Sequence, residues 1–277
     1  MTSKPSLSVI MSVYNNEEYL EEAVESILNQ TFSDFEFIIT DDCSVDNSLK
    51  IIESYAAIDD RIIIIKNQQN MGLTKSLNNM INLANAEYIA RMDGDDIADL
   101  DRFKKQMSVI NDKPEIDLIF GDTSLIDEKG SRICDSWRPK KLENILKNLE
   151  YHNFIPHPTV IFKKSAVQSL GGYNEEYKLG QDKELWVRFK NNGYKFYYIN
   201  QFLLSYRINP KSVRRKVNVN RYYFLANTCI NNKKKKKVFN YIRQVSFKEK
   251  LILFIKFLIP HKILFIKGIW IRKFRRN

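Results

Sequence analysis

LSVIMSVYNNEEYLEEAVESIL, residues 7–28, changes its period halfway along. Residues 7–13 are a β-branched apolar run, the pattern of a strand buried on both faces. Tyr14-Asn15-Asn16 interrupts it. Leu20, Ala23, Val24, Ile27 and Leu28 then recur at i, i+3, i+4, i+7 and i+8, the stripe of an amphipathic helix. Asn15 or Asn16 suits the helix N-cap, and Glu17, Glu18, Glu21 and Glu22 suit its positive end.

The same change recurs downstream. FEFIIT (35–40) reads as a strand, with a helix following over about 46–57. RIIIIK (61–66) is a third strand, and Leu73, Leu77, Ile81 and Ala84 mark a third helix. EYIARM (87–92) is a fourth strand. This alternation predicts an α/β fold with a mostly parallel sheet and helices on both faces. Such sheets bind ligands beyond the carboxyl ends of their strands. The polar clusters fall there: Tyr14-Asn15, Asp41-Asp42 and Asp93-Gly94-Asp95-Asp96. The second half is less regular. DLIFGD (117–122), TVIF (159–162) and KFYYI (195–199) read as strands, and KELWVRFKNN (183–192) as a helix.

The net charge of +11 conceals a division. Residues 211–277 carry 20 Lys/Arg against one acid, Glu249, whereas residues 1–210 carry 24 against 32 Asp/Glu. A mildly acidic body over 1–210 is thus followed by a basic extension over 211–277, and the two parts suit different partners. Cys43, Cys134 and Cys229 are an odd, widely spaced set with no CxxC, which fits a reducing compartment. The opening residues lack a charged n-region followed by a long apolar h-region, so no cleavable signal peptide is expected. Neither GxxxxGK[ST] nor GxGxxG occurs, so the common glycine phosphate cradles are missing.

ARMDGDD (90–96) crowds like charges that repel. Asp96 or Asp99 could cap a helix. An Asp-x-Asp just past a buried strand suggests more: two carboxylates around a glycine can face a divalent cation. An incomplete oxygen shell suits Mg²⁺ or Mn²⁺, with substrate phosphates completing the coordination.

Five stretches, in order over roughly residues 5–210, carry a family resemblance. They are SVIMSVYN, ITDDCSVDNS, NMGLTKSLN, YIARMDGDD, and HPTVIF with GGYNEEYKLGQDKELWVR. The chain resembles a family 2 glycosyltransferase of the glycosyltransferase-A fold. The resemblance implies a single Rossmann-like catalytic domain with a mixed, mostly parallel central sheet. It implies that Tyr14 flanks the uracil of a UDP-sugar donor, with Ser12 and Asn15 nearby, and that Asp42 accepts a hydrogen bond from that base. Asp93 would lie near the ribose or the metal, Asp95 would ligate the metal, and Lys75 would help hold the donor.

On the same resemblance Asp182 is the catalytic base, in Gln181-Asp182 where the family often has Glu-Asp. A single base opposite the leaving group implies inversion in one displacement, without a covalent intermediate. His157, Gly172 and Tyr173 fall on the acceptor side, and Arg207 on donor phosphate. Trp186 reads as core. LSYRINPKSV (204–213) departs from the family pattern: Asn209 stands where histidine is frequent.

The apolar stretch 251–271 is broken by Pro260 and carries Lys256, Lys262 and Lys267. Its halves are too short to span a bilayer, and one spanning helix would bury those lysines. With KKKKK (233–237) it reads as amphipathic helices on an anionic membrane surface. This suggests a cytoplasmic protein, peripheral on the inner face of the membrane, acting on a glycan or lipid-linked acceptor of cell-surface polysaccharide synthesis. A nucleic-acid binder using the basic extension is the rival class, and the acidic body opposes it, so no nucleic-acid partner is expected. A non-catalytic sugar-nucleotide module is the other rival. Intact Asp95 and Asp182 oppose that one.

Overall fold

The structure is a computed structural model that describes residues 4–136, 138–177 and 179–208. Expectations for Asn209, for Cys229 and for the amphipathic extension over 211–277 lie outside the described residues. Residues 4–132 and 138–208 lie within one compact unit, described below.

The strand–helix alternation is as expected through the first half. It runs β1 (Leu7–Val13), α1 (Leu20–Leu28), β2 (Phe35–Asp41), α2 (Ser48–Ala56), β3 (Ile62–Lys66), α3 (Leu73–Leu83) and β4 (Tyr88–Met92). There follow β5 (Ile97–Ala98), α4 (Arg102–Asp112), β6 (Leu118–Ile126), β7 (Arg132–Asp135) and α5 (Leu142–Lys147). A 3-10 turn at His157–Thr159 leads into β8 (Ile161–Lys163), α6 (Lys164–Ser169), α7 (Gln181–Asn191) and β9 (Phe196–Arg207).

The strands pair in the order β3–β2–β1–β4–β8–β6–β9–β5. β1 runs parallel to β2 and β4, and β2 parallel to β3. β8 is antiparallel to both β4 and β6, β9 is parallel to β6, and β5 is antiparallel to β9. The sheet is therefore mixed and mostly parallel. Side chains alternate across it. Leu7, Val9, Met11 and Val13 of β1 pack with α1 and α4 through Leu20, Val24 and Phe103. Ile10 faces the other side, with Leu77 and Met80 of α3 and Leu185, Trp186 and Phe189 of α7. Both faces of β1 are covered, which is why its sequence is a continuous apolar run.

Several local expectations are corrected. Neither Asn15 nor Asn16 caps α1; the helix begins at Leu20 after Tyr19, and the Asn16 carbonyl accepts the Tyr19 and Leu20 N–H groups. Neither Asp96 nor Asp99 caps α4, which starts after Asp101. TVIF is split, because Thr159 belongs to the 3-10 turn and β8 begins at Ile161. β9 extends well past Ile199 to Arg207, and β6 past Asp122 to Ile126, with a register shift around Asp122.

Candidate active site

Three strand ends build one wall. The loop after β1 is tied to the loop after β2 at successive residues. Asn15, at φ 49°, donates its N–H to Ser44 Oγ (3.1 Å) and accepts from the Val45 N–H on Oδ1 (2.8 Å). Asn16 N–H donates to Ser48 Oγ (2.8 Å), and Glu17 N–H to Asp46 (3.0 Å). These ties leave Tyr14 50 % exposed at the end of β1. Ser12, part-buried, lies opposite Thr40 in the ladder.

The two aspartates at the end of β2 do different things. Asp42 Oδ1 accepts from Met71 N–H (2.8 Å) and Asn67 Nδ2 (2.7 Å), and Oδ2 accepts from Gly72 N–H (2.8 Å). Three donors thus fix its carboxylate against the loop that enters α3, with acceptor capacity for one more. Asp41 Oδ2 accepts from Ser44 N–H (3.1 Å), but its Oδ1 is buried without a hydrogen-bond partner. Lys75 sits in the first turn of α3, half-exposed and 4.0 Å from Glu175. A cation there opposes the helix dipole, so an anion beside it gains on both counts.

At the end of β4 the buried Arg91 grips Asp93 with both terminal nitrogens. Burial alone would lower the Arg91 pKa; the Asp93 charge and its hydrogen bonds outweigh that and raise it. Asp95 is part-buried, with Asp96 fully buried behind it. Burial, then the Asp95 and Asp93 charges, hold the Asp96 carboxyl well above the usual range. A Cβ at Gly94 would come within 2.6 Å of Asn16 Nδ2, so a side chain there displaces the Asn16 amide.

Arg207 does not face a phosphate. Its Nε donates to the Asp95 carbonyl (2.9 Å), Nη1 to the Asp127 and Glu128 carbonyls (3.3 and 3.1 Å), and Nη2 to Glu22 (2.7 Å). Its backbone N–H donates to Asp96 Oδ1 (2.8 Å), and its guanidinium lies over the Tyr19 ring. A buried guanidinium must be satisfied by the protein, and here it secures the Asp-x-Asp loop.

Asp182 lies in the first turn of α7, which starts after Gly180 in the left-handed region (φ 78°). It is 4 % exposed, and its Oδ2 accepts from Asn153 Nδ2 (2.7 Å). The Tyr173 hydroxyl is bonded to His157 Nε2 (2.7 Å). Burial, foremost, raises the Tyr173 pKa; Arg91 opposes this, while Asp182 and Asp93 reinforce it. Asp93, just past β4, and Asp182 of α7 thus both act on one hydroxyl. His157 and Tyr173 do not line an open acceptor surface. Both are buried against Trp186, itself core as expected. Gly172 meets a local steric need, with φ 78° and a would-be Cβ 2.8 Å from Asn78 Oδ1.

Among the described residues no group of three or more His, Cys, Asp or Glu side chains forms a closed metal cage. Asp95 with Asp93 beside it is a hard-oxygen, incomplete donor set, which fits Mg²⁺ or Mn²⁺ shared with a ligand's phosphates. Asp93 is partly neutralised by Arg91.

The family model for glycosyl transferase family 2 matches residues 8–170. The chain belongs to that family. An uncharacterised glycosyltransferase of Methanocaldococcus jannaschii is 39 % identical over 238 residues, covering 83 % of this chain and 81 % of that one. The O-antigen biosynthesis glycosyltransferase WbnJ of Escherichia coli is 32 % identical, covering 76 % of this chain and 82 % of its own. Among solved structures, S. aureus TarS 1–349 in complex with UDP-GlcNAc superposes with a TM-score of 0.64 at 18 % identity. That superposition covers 90 % of this chain and 79 % of TarS 1–349, and the fold is the glycosyltransferase-A fold. The transferase has no helix among its described residues long and apolar enough to cross a membrane.

Reading the sequence missed two residues around the site: Arg91 and Asn153. Arg91 had a signal, being a cation inside a buried strand two residues before Asp93. Asn153 had none, because its partner is distant in the chain.

Proposed function

We propose that this transferase moves a hexosyl unit from a nucleotide-diphosphate sugar, with UDP as the nucleotide, to a hydroxyl of a glycan or lipid-linked acceptor. The reaction inverts the anomeric carbon and serves cell-surface polysaccharide synthesis. The observation that carries this reading is the buried Asp182 carboxylate, held on one oxygen by Asn153 and acting, like Asp93 just past β4, on the Tyr173 hydroxyl. The O-antigen biosynthesis role of WbnJ and the UDP-GlcNAc bound by TarS support the acceptor class and the donor.

Tyr14 offers its half-exposed ring to the base, with Ser12 and Asn15 shaping the floor. Asp42 is the acceptor for a base N–H, on a carboxylate whose orientation Asn67, Met71 and Gly72 fix. Lys75 faces donor phosphate from the start of α3. Asp95 and Asp93 would hold a divalent cation, which would neutralise charge on the departing diphosphate. Asp182 takes the proton of the acceptor hydroxyl as its oxygen bonds to the anomeric carbon. The electron pair of the breaking bond leaves with the nucleoside diphosphate. General-base help of this kind is worth about 10²–10⁴-fold. His157 and Tyr173 brace the wall rather than bind acceptor. The basic, apolar stretch over 233–277 places the enzyme on the anionic inner face of the membrane.

The test is release of nucleoside diphosphate from UDP-sugars by wild type and Asp182→Asn. The reading expects Asp182→Asn to lose turnover while retaining nucleotide binding. Unchanged turnover in Asp182→Asn contradicts it.

A further inference from the structure

We propose that Asn153 is a positioning residue that divides the Asp182 carboxylate into a held oxygen and a working one. This rests on the reading of Asp182 as the base.

The Asn153 side chain is bonded at both ends. Its Oδ1 accepts from the Ile155 N–H (3.2 Å), which fixes the amide orientation and commits Nδ2 to Asp182 Oδ2 at 2.7 Å. Among the described residues no donor bonds Asp182 Oδ1. A carboxylate pinned on one oxygen loses rotational freedom and presents the other in a fixed direction, and fixed geometry is what a general base needs.

The loop that carries Asn153 is itself anchored. Arg138 Nη1 donates to the Phe154 carbonyl (3.1 Å) and to the Gly121 carbonyl of β6 (2.8 Å), and its guanidinium pairs with the buried Asp122. Asn153 therefore transmits the position of β6 to the start of α7. The other charged or titratable groups around Asp182 are engaged elsewhere. Lys183 Nζ donates to the Glu150 carbonyl, Glu184 pairs with Arg188, Tyr173 bonds His157, and Asp93 is gripped by Arg91. Asn153 is the neutral donor in direct contact, so replacing it by a carboxylate perturbs the base locally.

The experiment compares wild type, Asn153→Ala, Asn153→Asp and Asp182→Asn as full-length chains, following UDP release from UDP-GlcNAc against pH. Asn153→Ala is expected to lower kcat about 10- to 100-fold, the worth of a hydrogen bond to a charged group, with KM for the donor changed less than about twofold. Asn153→Asp is near-isosteric and keeps the fold if Asn153→Ala does not. It is expected to move the acid limb of the pH–rate profile upward by about one pH unit or more, because two adjoining carboxylates resist joint ionisation. Profiles and kcat of both Asn153 variants matching wild type, beside an inactive Asp182→Asn, overturn the role of Asn153 alone. An Asp182→Asn protein as active as wild type overturns the base reading and this inference with it.

Discussion

Arg207, the last residue of β9, donates its Nε hydrogen to the backbone carbonyl of Asp95 at 2.9 Å, 112 positions earlier in the chain. With its own N–H on Asp96 and its Nη2 on Glu22, it joins the end of the sheet, α1 and the Asp-x-Asp loop. The loop that presents Asp95 is thus fixed from behind, by a residue that needs no ligand contact to matter. Arg207→Lys keeps the charge but cannot reproduce the fork. It should cost about 2–4 kcal/mol. For a domain of this size that is a fall in Tm of roughly 5–15 °C. Thermal unfolding of the ligand-free protein measures it.

Asp41 and Asp42 are adjacent and should separate cleanly. Asp42→Asn turns an acceptor into a donor facing backbone N–H groups at Met71 and Gly72. It should destabilise the protein by about 1–3 kcal/mol. Hydrogen exchange at the Met71 and Gly72 amides should rise with it. Asp41→Asn should leave thermal stability nearly unchanged, since its Oδ1 has no hydrogen-bond partner to lose.

Gly172→Ala should be costly for a reason unrelated to acceptor binding. The residue sits at φ 78°, and a Cβ would press on Asn78 Oδ1, which accepts from the Tyr173 N–H (2.8 Å). Strain of this kind costs about 1–3 kcal/mol. Denaturant unfolding should show a lowered midpoint with unchanged slope.

The alkaline limb of stability should carry a tyrosine signature. Burial, then hydrogen bonds to Glu18 and Glu25, push the Tyr19 and Tyr55 hydroxyls up to about 12. Their folded-state values lie above the unfolded ones, so the stability they contribute is complete below about pH 10 and is lost as pH rises toward 12. Tyr55→Phe should flatten this fall between pH 10 and 12 in thermal unfolding. A fall as steep as that of wild type counts against the assignment.

The alternation of β1 through β4 was legible because buried parallel strands and amphipathic helices have different periods. Both Tyr14 and the Asp-x-Asp appeared at strand ends for the same reason. What could not be read were partnerships between distant segments. Nothing local separates Asp41 from Asp42; the difference is that residues 67–72 return to the second and leave an oxygen of the first. The family resemblance puts Arg207 on donor phosphate, and only its partners, Glu22 and the Asp95, Asp127 and Glu128 carbonyls, show the charge to be occupied. β5, with two residues, is too short to carry a period at all.

The most direct test of the donor site is thermal stabilisation by UDP, with Mn²⁺ and with EDTA, in wild type and Asp95→Asn. A ligand that binds only the folded state adds about 2.7 kcal/mol at 100 times its dissociation constant. The account predicts a clear rise in Tm with UDP and Mn²⁺ that shrinks with EDTA and is lost in Asp95→Asn. A rise of equal size in Asp95→Asn, or none in wild type, contradicts it.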